Sequence, residues 1–153
     1  MTRIRLETII QASIERCFDL SRCIDVHLDS MEKSNEKAIG GRVSGLIEKG
    51  ETVTWRATHF FVSQTMTVKI VEMKRPDIFV DVMVKGPFKS MAHTHLFKVT
   101  EAATIMTDVF EYTVPYSWIG RLFDSLVLKS YMTRLLQQRN DAIRSLAENL
   151  IAV

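Results

Sequence analysis

Two histidines separated by one residue, His93 and His95, are the side chains of this chain best suited to proton transfer. On a β-strand they would point to the same face, because strand side chains alternate. An imidazole with a pKa near ~6.5 can accept or release a proton near neutral pH. Asp108 could orient one ring, and the Tyr112 hydroxyl could polarise a carbonyl. These four candidate catalytic residues would suit aldol cyclisation or dehydration of a poly-carbonyl substrate.

The same residues have two interpretations that require no reaction. His93, His95 and Asp108 could satisfy one another and the backbone inside a sheet, as buried polar groups usually do. They could instead anchor the polar end of a ligand in an otherwise apolar pocket. The residue pattern favours mutual satisfaction over ligand anchoring, and ligand anchoring over catalysis.

A metal site is a further alternative, because a His-x-His pair with a third histidine or aspartate can bind Zn²⁺ or Fe²⁺. No spacing in the chain identifies the third ligand. The two cysteines, Cys17 and Cys23, match neither a zinc pattern nor a disulfide framework. We therefore predict no metal, no cofactor and two free thiols.

The elements that would position these residues are mainly strands. Hydrophobic residues alternate in strand fashion through the middle of the chain, and Gly, Pro and Asp residues mark the turns. Pro115 ends this region, and an apolar residue then recurs every three or four positions to the C-terminus, which indicates a long amphipathic helix. The predicted order is a strand (3–10), two short helices (13–20, capped by Ser13, and about 23–30), six strands between Arg42 and Val114, and a helix from Ser117.

A curved sheet closed by a long helix would leave a cavity between them. In the predicted strand 52–62 the odd-numbered side chains face inward, because Arg56 and three threonines occupy even positions. A turn is expected at Ser63–Gln64. Arg139 is expected either on the solvated face of the last helix or as a partner for a nearby carboxylate. The predicted lining residues are Trp55, His59, Phe61, Met83, His93, His95, Phe97, Met106, Asp108 and Tyr112 from strands, and Phe123, Leu126 and Val127 from the helix.

Whether Asp108 shares a face with the histidines depends on strand register, because a shift of one residue moves every side chain to the other face. We favour the register that places Asp108 opposite Phe97. In that register Met106, Phe110 and Tyr112 also face the interior.

Composition limits the classes of function. A chain of 153 residues fits one domain, 1–153, and its hydrophobic fraction of 46% is typical of a globular protein. The net charge of +2 comes from 20 basic and 18 acidic residues in mixed order, which argues against nucleic-acid binding. No apolar run is long enough for a membrane span or a signal peptide. We expect a cytoplasmic protein, without stable membrane insertion, that is a monomer or a weak homodimer.

Several short motifs follow one another in a characteristic order along the chain. They are SIERCFDL (13–20), GETVTWRATHF (50–60), RPDIF (75–79), GPF (86–88), HTHLF (93–97), Thr107 with Asp108, Tyr112 with Pro115, and GRL (120–122). These motifs and the order of elements resemble the SRPBCC superfamily, which includes START domains, plant pollen-allergen-like proteins and polyketide cyclase/dehydrase-like proteins, and they look like its small bacterial single-domain branch. The resemblance implies an α+β helix-grip fold that binds a hydrophobic or amphipathic small molecule, such as a lipid or a polyketide-like or isoprenoid compound. The alternative that it implies is a cyclase or dehydratase.

Overall fold

The computed structural model describes residues 1–149, and it has the predicted α+β helix-grip architecture. A seven-stranded antiparallel sheet has the order β1-β7-β6-β5-β4-β3-β2, so β1 and β2 are its edges. Two short helices follow the first strand, and a long helical segment closes the sheet. The elements are β1 (Thr2–Ile10), α1 (Ile14–Ser21), α2 (Ile24–Ser30), β2 (Lys37–Gly41), β3 (Thr52–His59), β4 (Val62–Lys74), β5 (Ile78–Lys85), β6 (Ser90–Val99), β7 (Thr104–Thr113), α3 (Ser117–Phe123), a π-helical turn (Asp124–Leu128) and α4 (Lys129–Asn149).

The register between β6 and β7 decides which polar groups meet. His95 lies opposite Asp108, and Phe97 lies opposite Met106. The prediction that Asp108 shares a face with the histidines is therefore confirmed. The predicted pairing of Asp108 with Phe97 was wrong, because the observed register is shifted by two residues. A shift of two residues keeps every side chain on the same face of the sheet.

The turn between β3 and β4 lies earlier than predicted. β3 ends at His59, which pairs with Val62, so Phe60 and Phe61 form a two-residue turn. Both have left-handed backbones, with φ of 51° and 64°. Two-residue hairpin turns require such values and usually recruit Asn or Gly for them. The sequence therefore carries no turn signal here, and the predicted turn at Ser63–Gln64 was wrong.

The second edge strand also differs from its prediction. β2 occupies Lys37–Gly41, whereas the segment expected to be a strand before Gly50 is irregular. Gly41 ends the strand with φ of 69°, and a Cβ added there would lie 2.2 Å from the Thr52 carbonyl oxygen. Only glycine permits this close approach.

The core lies between the sheet and the helices. The predicted N-cap of α1 is confirmed, since the Ser13 hydroxyl accepts a hydrogen bond from the Arg16 backbone N–H at 3.3 Å. Phe18 of α1 packs edge-to-face against Phe79 and Phe97, with both ring-centroid distances at 5.3 Å. α1 is therefore fixed to the inner face of β5 and β6.

Apart from Gly120 and Asp124, the buried residues of the described C-terminal helical segment lie in its second half. α4 packs against β1, α1 and α2. In α3 and the π-helical turn the apolar residues that we expected on the sheet are instead exposed, as Ile119, Leu122 and Leu126 show. The last residue of the predicted apolar stripe, Leu150, lies outside the described residues. None of the described helices is long and apolar enough to span a membrane.

Candidate functional site

Two neighbouring cavities lie between the sheet and the helices. The inner cavity, of about 170 Å³, is bounded by α2, α4 and strands β3 to β6. The outer cavity, of about 440 Å³, lies nearer the β3–β4 turn, the loop after β5 and α3. Both cavities are lined by Glu36, Trp55, His59, Met66 and Met132, so they adjoin along this shared wall.

Asp108 is the centre of a buried polar network behind the inner cavity. Its Oδ1 lies 2.8 Å from His93 Nε2 and accepts a hydrogen bond from Arg139 Nη1 at 3.3 Å. Its Oδ2 accepts a hydrogen bond from Asn140 Nδ2 at 2.7 Å. His95 Nδ1 is 3.2 Å from the same Oδ1. Asp108 is fully buried. Its contacts with His93 and His95 hold both imidazole rings in place.

His95 connects this network to a second carboxylate. Its Nε2 lies 3.4 Å from Asp81 Oδ2, while its Nδ1 faces Asp108 and the Arg139 guanidinium. Phe79 stacks on the imidazole with a ring-centroid distance of 4.0 Å. His93, His95, Asp81 and Arg139 all line the inner cavity, so one side of this network faces the cavity.

Burial changes the acid–base properties of the network. It lowers the pKa of His93 to about 4, and the nearby charge of His95 acts in the same direction. Burial alone would raise the pKa of Asp108, but hydrogen bonds from His93 and His95 and the charge of Arg139 hold that pKa well below its usual value. At neutral pH His93 is therefore neutral and Asp108 is ionised.

Further polar pairs lie along the shared wall of the cavities. His59 Nδ1 is 2.7 Å from the Tyr131 hydroxyl, and burial lowers the pKa of His59. His27 Nε2 is 2.8 Å from Glu36 Oε1, and the His27 ring lies against Trp55 with centroids 4.2 Å apart. These pairs place a few fixed polar atoms in an otherwise apolar wall.

The structure places five of the predicted lining residues at the cavities. Trp55 and His59 line both, His93 and His95 line the inner one, and Phe123 lines the outer one. They come from three separate elements, β3, β6 and α3.

The remaining predicted residues lie elsewhere. Phe97 and Met106 are buried in the hydrophobic core, and Met83 packs against it. Phe61, Leu126 and Val127 are exposed, because Phe61 lies in a turn and the other two lie on the outer side of the π-helical turn.

Tyr112 does not join the histidine group. Its hydroxyl donates a hydrogen bond to Asp124, which also accepts one from Thr2. This burial and the Asp124 charge raise the pKa of Tyr112. Tyr112 lines neither cavity, so its hydroxyl is not placed to polarise a ligand carbonyl as predicted.

Sequence reasoning did not include Arg139 or Asn140 among the candidate site residues. Of the two positions expected for Arg139, the structure shows the one paired with a carboxylate, since its side chain is buried against Asp108. Arg139 lies three residues after Leu136 and four before Ile143, both of which are buried. The position of Arg139 within this apolar stripe could therefore have predicted that its side chain is buried and paired with a carboxylate.

One group of these side chains has the chemistry of a metal site. Asp81, His93 and His95 each offer a ligand atom, and the three atoms lie within 4.8 Å of one another. The expectation of no metal was based on the lack of an identifiable third ligand. The structure places Asp81, from the strand that pairs with the histidines, where its carboxylate could serve as a third ligand.

Comparisons with known proteins support the fold and go no further. No family model matches the chain, and no curated protein gives a significant match. Among solved structures, TTHA0849 from Thermus thermophilus has a TM-score of 0.74 at 16% identity, covering 96% of this chain and 100% of that one. Major latex-like protein 151 from Panax ginseng has a TM-score of 0.68 at 14% identity, covering 95% and 97%. Ara h 8.0201 has a TM-score of 0.65 at 7% identity, covering 94% and 98%. The chain is therefore similar in fold to the pollen-allergen-like helix-grip proteins.

Proposed function

We propose that this protein binds an apolar or amphipathic small molecule in its two adjoining cavities. The observation that carries the proposal is the combination of a mainly apolar space with a fixed polar group at its inner end. Ligand sites usually have this composition, in which apolar walls supply affinity and a few polar groups supply orientation. The fold shared with the pollen-allergen-like proteins agrees with such a role.

The charges at the inner end favour one class of polar head. Arg139 is paired with Asp108, whereas Asp81 faces the cavity with only the imidazoles beside it. An anionic head such as a fatty-acid carboxylate would be repelled by Asp81. A neutral head with a hydroxyl can donate to Asp81 or His93. We therefore favour lipid alcohols, isoprenoid alcohols and hydroxylated polyketide-like compounds.

Ligand entry would take place at the outer cavity. Three of its lining aromatic residues, Phe60, Tyr116 and Phe123, are also exposed, so the cavity opens to solvent between the β3–β4 turn and α3. The exposed Trp118 and Leu122 lie on α3 beside this opening. An apolar tail would thus remain in contact with apolar surface as it enters.

The alternative of a cyclase or dehydratase depends on His93 and His95 alone, because Tyr112 is bound to Asp124 and Asp108 lies behind the rings. An enzyme of this kind predicts a pH-dependent turnover that His93→Ala abolishes. A carrier predicts a modest change in ligand affinity in the same variant. No observation of the described residues favours the enzyme over the carrier.

Displacement of a fluorescent apolar probe tests the binding proposal. The protein would be kept metal-free with EDTA, loaded with N-phenyl-1-naphthylamine and titrated with 1-dodecanol or with dodecanoate at pH 7.5. We expect dodecanol to displace the probe at a concentration at least about tenfold below that of dodecanoate. Absence of probe binding would overturn the proposal, and equal potency of the two ligands would overturn the assignment of the head.

A further inference from the structure

The three potential ligand atoms at the inner cavity are held by two paired strands. Asp81 of β5 lies opposite His93 of β6, and His95 follows on the same face. His95 Nε2 and Asp81 Oδ2 are 3.4 Å apart. Two ligands of a tetrahedral zinc ion, each bound at about 2.0–2.1 Å, are separated by about 3.3 Å. The observed spacing thus fits a shared ion as well as it fits a long hydrogen bond.

The second carboxylate orients both imidazoles for this role. Asp108 Oδ1 is 2.8 Å from His93 Nε2 and 3.2 Å from His95 Nδ1. When His93 Nε2 donates its proton to Asp108, His93 Nδ1 is left as a free electron pair. His95 Nδ1 also lies 3.4 Å from Arg139 Nη2, which can only donate, so metal binding requires the His95 tautomer that carries its proton on Nδ1, towards Asp108, and leaves Nε2 free. Histidines that bind metals usually donate their other N–H to a carboxylate in this way.

Charge balance also calls for a cation beside Asp81. Its side chain is only 15% exposed, and within residues 1–149 its one ion pair is with His95. Arg139 forms its ion pair with Asp108 and acts on Asp81 only through its charge, which helps to lower the pKa of Asp81. A buried carboxylate without a directly bonded cation carries a large desolvation cost. A metal ion between Asp81 and the imidazoles would supply that cation.

We propose that Asp81, His93 and His95 bind one divalent transition-metal ion, of the Zn²⁺ or Fe²⁺ class, at the inner cavity. Two imidazoles and one carboxylate suit such ions and disfavour Ca²⁺ or Mg²⁺, which prefer oxygen ligands. The remaining coordination positions would face the cavity, where water or the hydroxyl of a ligand could occupy them. The inference does not depend on the proposed binding of an apolar molecule.

Metal retention by the untagged full-length protein tests this inference directly. The protein would be stripped with EDTA, loaded separately with Zn²⁺ or Co²⁺, dialysed and analysed by mass spectrometry of its metal content. We expect one ion per chain, and the Co²⁺ form should show the visible absorption bands of a site with nitrogen and oxygen ligands. Loss of the ion on dialysis to the level of a histidine-free control protein would overturn the inference.

Matched variants locate the ion within the cavity. Asp81→Asn and His93→Gln each remove one ligand while keeping the size of the side chain, and we expect each to weaken Zn²⁺ binding at least about 100-fold. His59→Gln removes a cavity histidine outside the group and should leave Zn²⁺ affinity within about twofold. Circular dichroism confirms that each variant is folded before its affinity is measured. Equal Zn²⁺ affinities in all three variants would place the ion elsewhere and contradict the assignment. Because this experiment uses the metal alone and the dodecanol experiment is run in EDTA, either can fail without affecting the other.

Discussion

At the scale of single residues, the buried carboxylate of Asp108 holds the site together. It accepts hydrogen bonds from Arg139 and Asn140 on α4. It also contacts the imidazoles of His93 and His95 on β6. A fully buried charge needs this number of partners to offset its desolvation. The network therefore fixes α4 to the sheet as well as orienting the imidazoles.

Replacement of Asp108 by Asn should be strongly destabilising. The substitution leaves the Arg139 charge buried without its counter-ion, and breaking a buried pair in this way costs about 3–5 kcal/mol. We expect a loss of that size in the free energy of unfolding measured with urea. Asp141→Asn, at an exposed position of the same helix, is the matched control and should change stability by less than about 0.5 kcal/mol. A similar small effect for both variants would show that the network contributes little.

The metal-free protein should lose stability in mild acid. Because burial lowers the pKa of His93 to about 4 from 6.5, the fold favours its neutral form. The stabilisation is complete above pH 6.5 and is lost as the pH falls from there towards 4, up to roughly 3 kcal/mol. We predict a falling melting temperature across this range in EDTA.

His93→Gln should flatten this pH profile, with a smaller residual slope from His59, whose pKa is also lowered by burial. A profile identical to that of the wild-type protein would contradict the assignment of the titrating group. NMR titration of the His93 ring provides a direct check of its pKa.

The residues of the site could be predicted from the sequence only in part. The alternation of β6 and β7 correctly brought His93, His95 and Asp108 to one face. The carboxylate partner of Arg139 could not be identified, because the buried position of Arg139 depends on contacts between distant elements. Asp81 was not identified as a third metal ligand, since its place opposite His93 depends on the β5–β6 register.

At the scale of elements, α4 and β3 together form the shared wall of the two cavities. Ala57 of β3 lines the outer cavity, and Met132 of α4 lines both. A tryptophan at either position would occupy space that the proposed ligand needs. The two positions belong to different elements, so they test the cavity independently.

We predict that Ala57→Trp and Met132→Trp each weaken binding of N-phenyl-1-naphthylamine at least about tenfold. Gln137→Trp places the same side chain on the exposed face of α4 and should bind the probe as the wild-type protein does. Thermal unfolding confirms that each variant is folded. Unchanged probe affinity in both cavity variants would show that the probe binds elsewhere.

The β3–β4 turn provides a second test at this scale. Phe61 is exposed with φ of 64°, a conformation that costs energy for an aromatic residue and suits Asn. Phe61→Asn should therefore stabilise the protein by about 0.5–1 kcal/mol in urea unfolding. Phe60→Asn should destabilise it, because Phe60 packs against Tyr131 with centroids 4.5 Å apart. The reverse order of stabilities would contradict the turn geometry.

The elements were predictable where periodicity was strong. Both short helices and the strands β5, β6 and β7 lie close to their predicted limits, because alternation and turn residues agree there. The Phe60–Phe61 turn was missed because neither residue is typical of a turn. The exposure of α3 was not predicted, because its apolar residues recur at helical spacing and so indicate a buried face. In the structure it is α4, not α3, that packs against the sheet.

At the scale of the whole molecule, the fold places two cavities within one domain and opens the outer one through exposed aromatic residues. The solved structures with this fold are at most 16% identical among those compared above, so they transfer the architecture and not a ligand. The specific features of this chain are the polar network at the inner end and the apolar opening at the outer end. Together they support the proposal that the protein binds a small molecule and orients it.

Native mass spectrometry of the protein, purified gently from its own source and repeated after denaturation, tests the central claim most directly. We predict a complex heavier than the chain, with a small apolar molecule bearing a hydroxyl released on unfolding. A protein of unmodified mass that also fails to take up 1-dodecanol when incubated with it would contradict the claim that the cavities bind such a ligand.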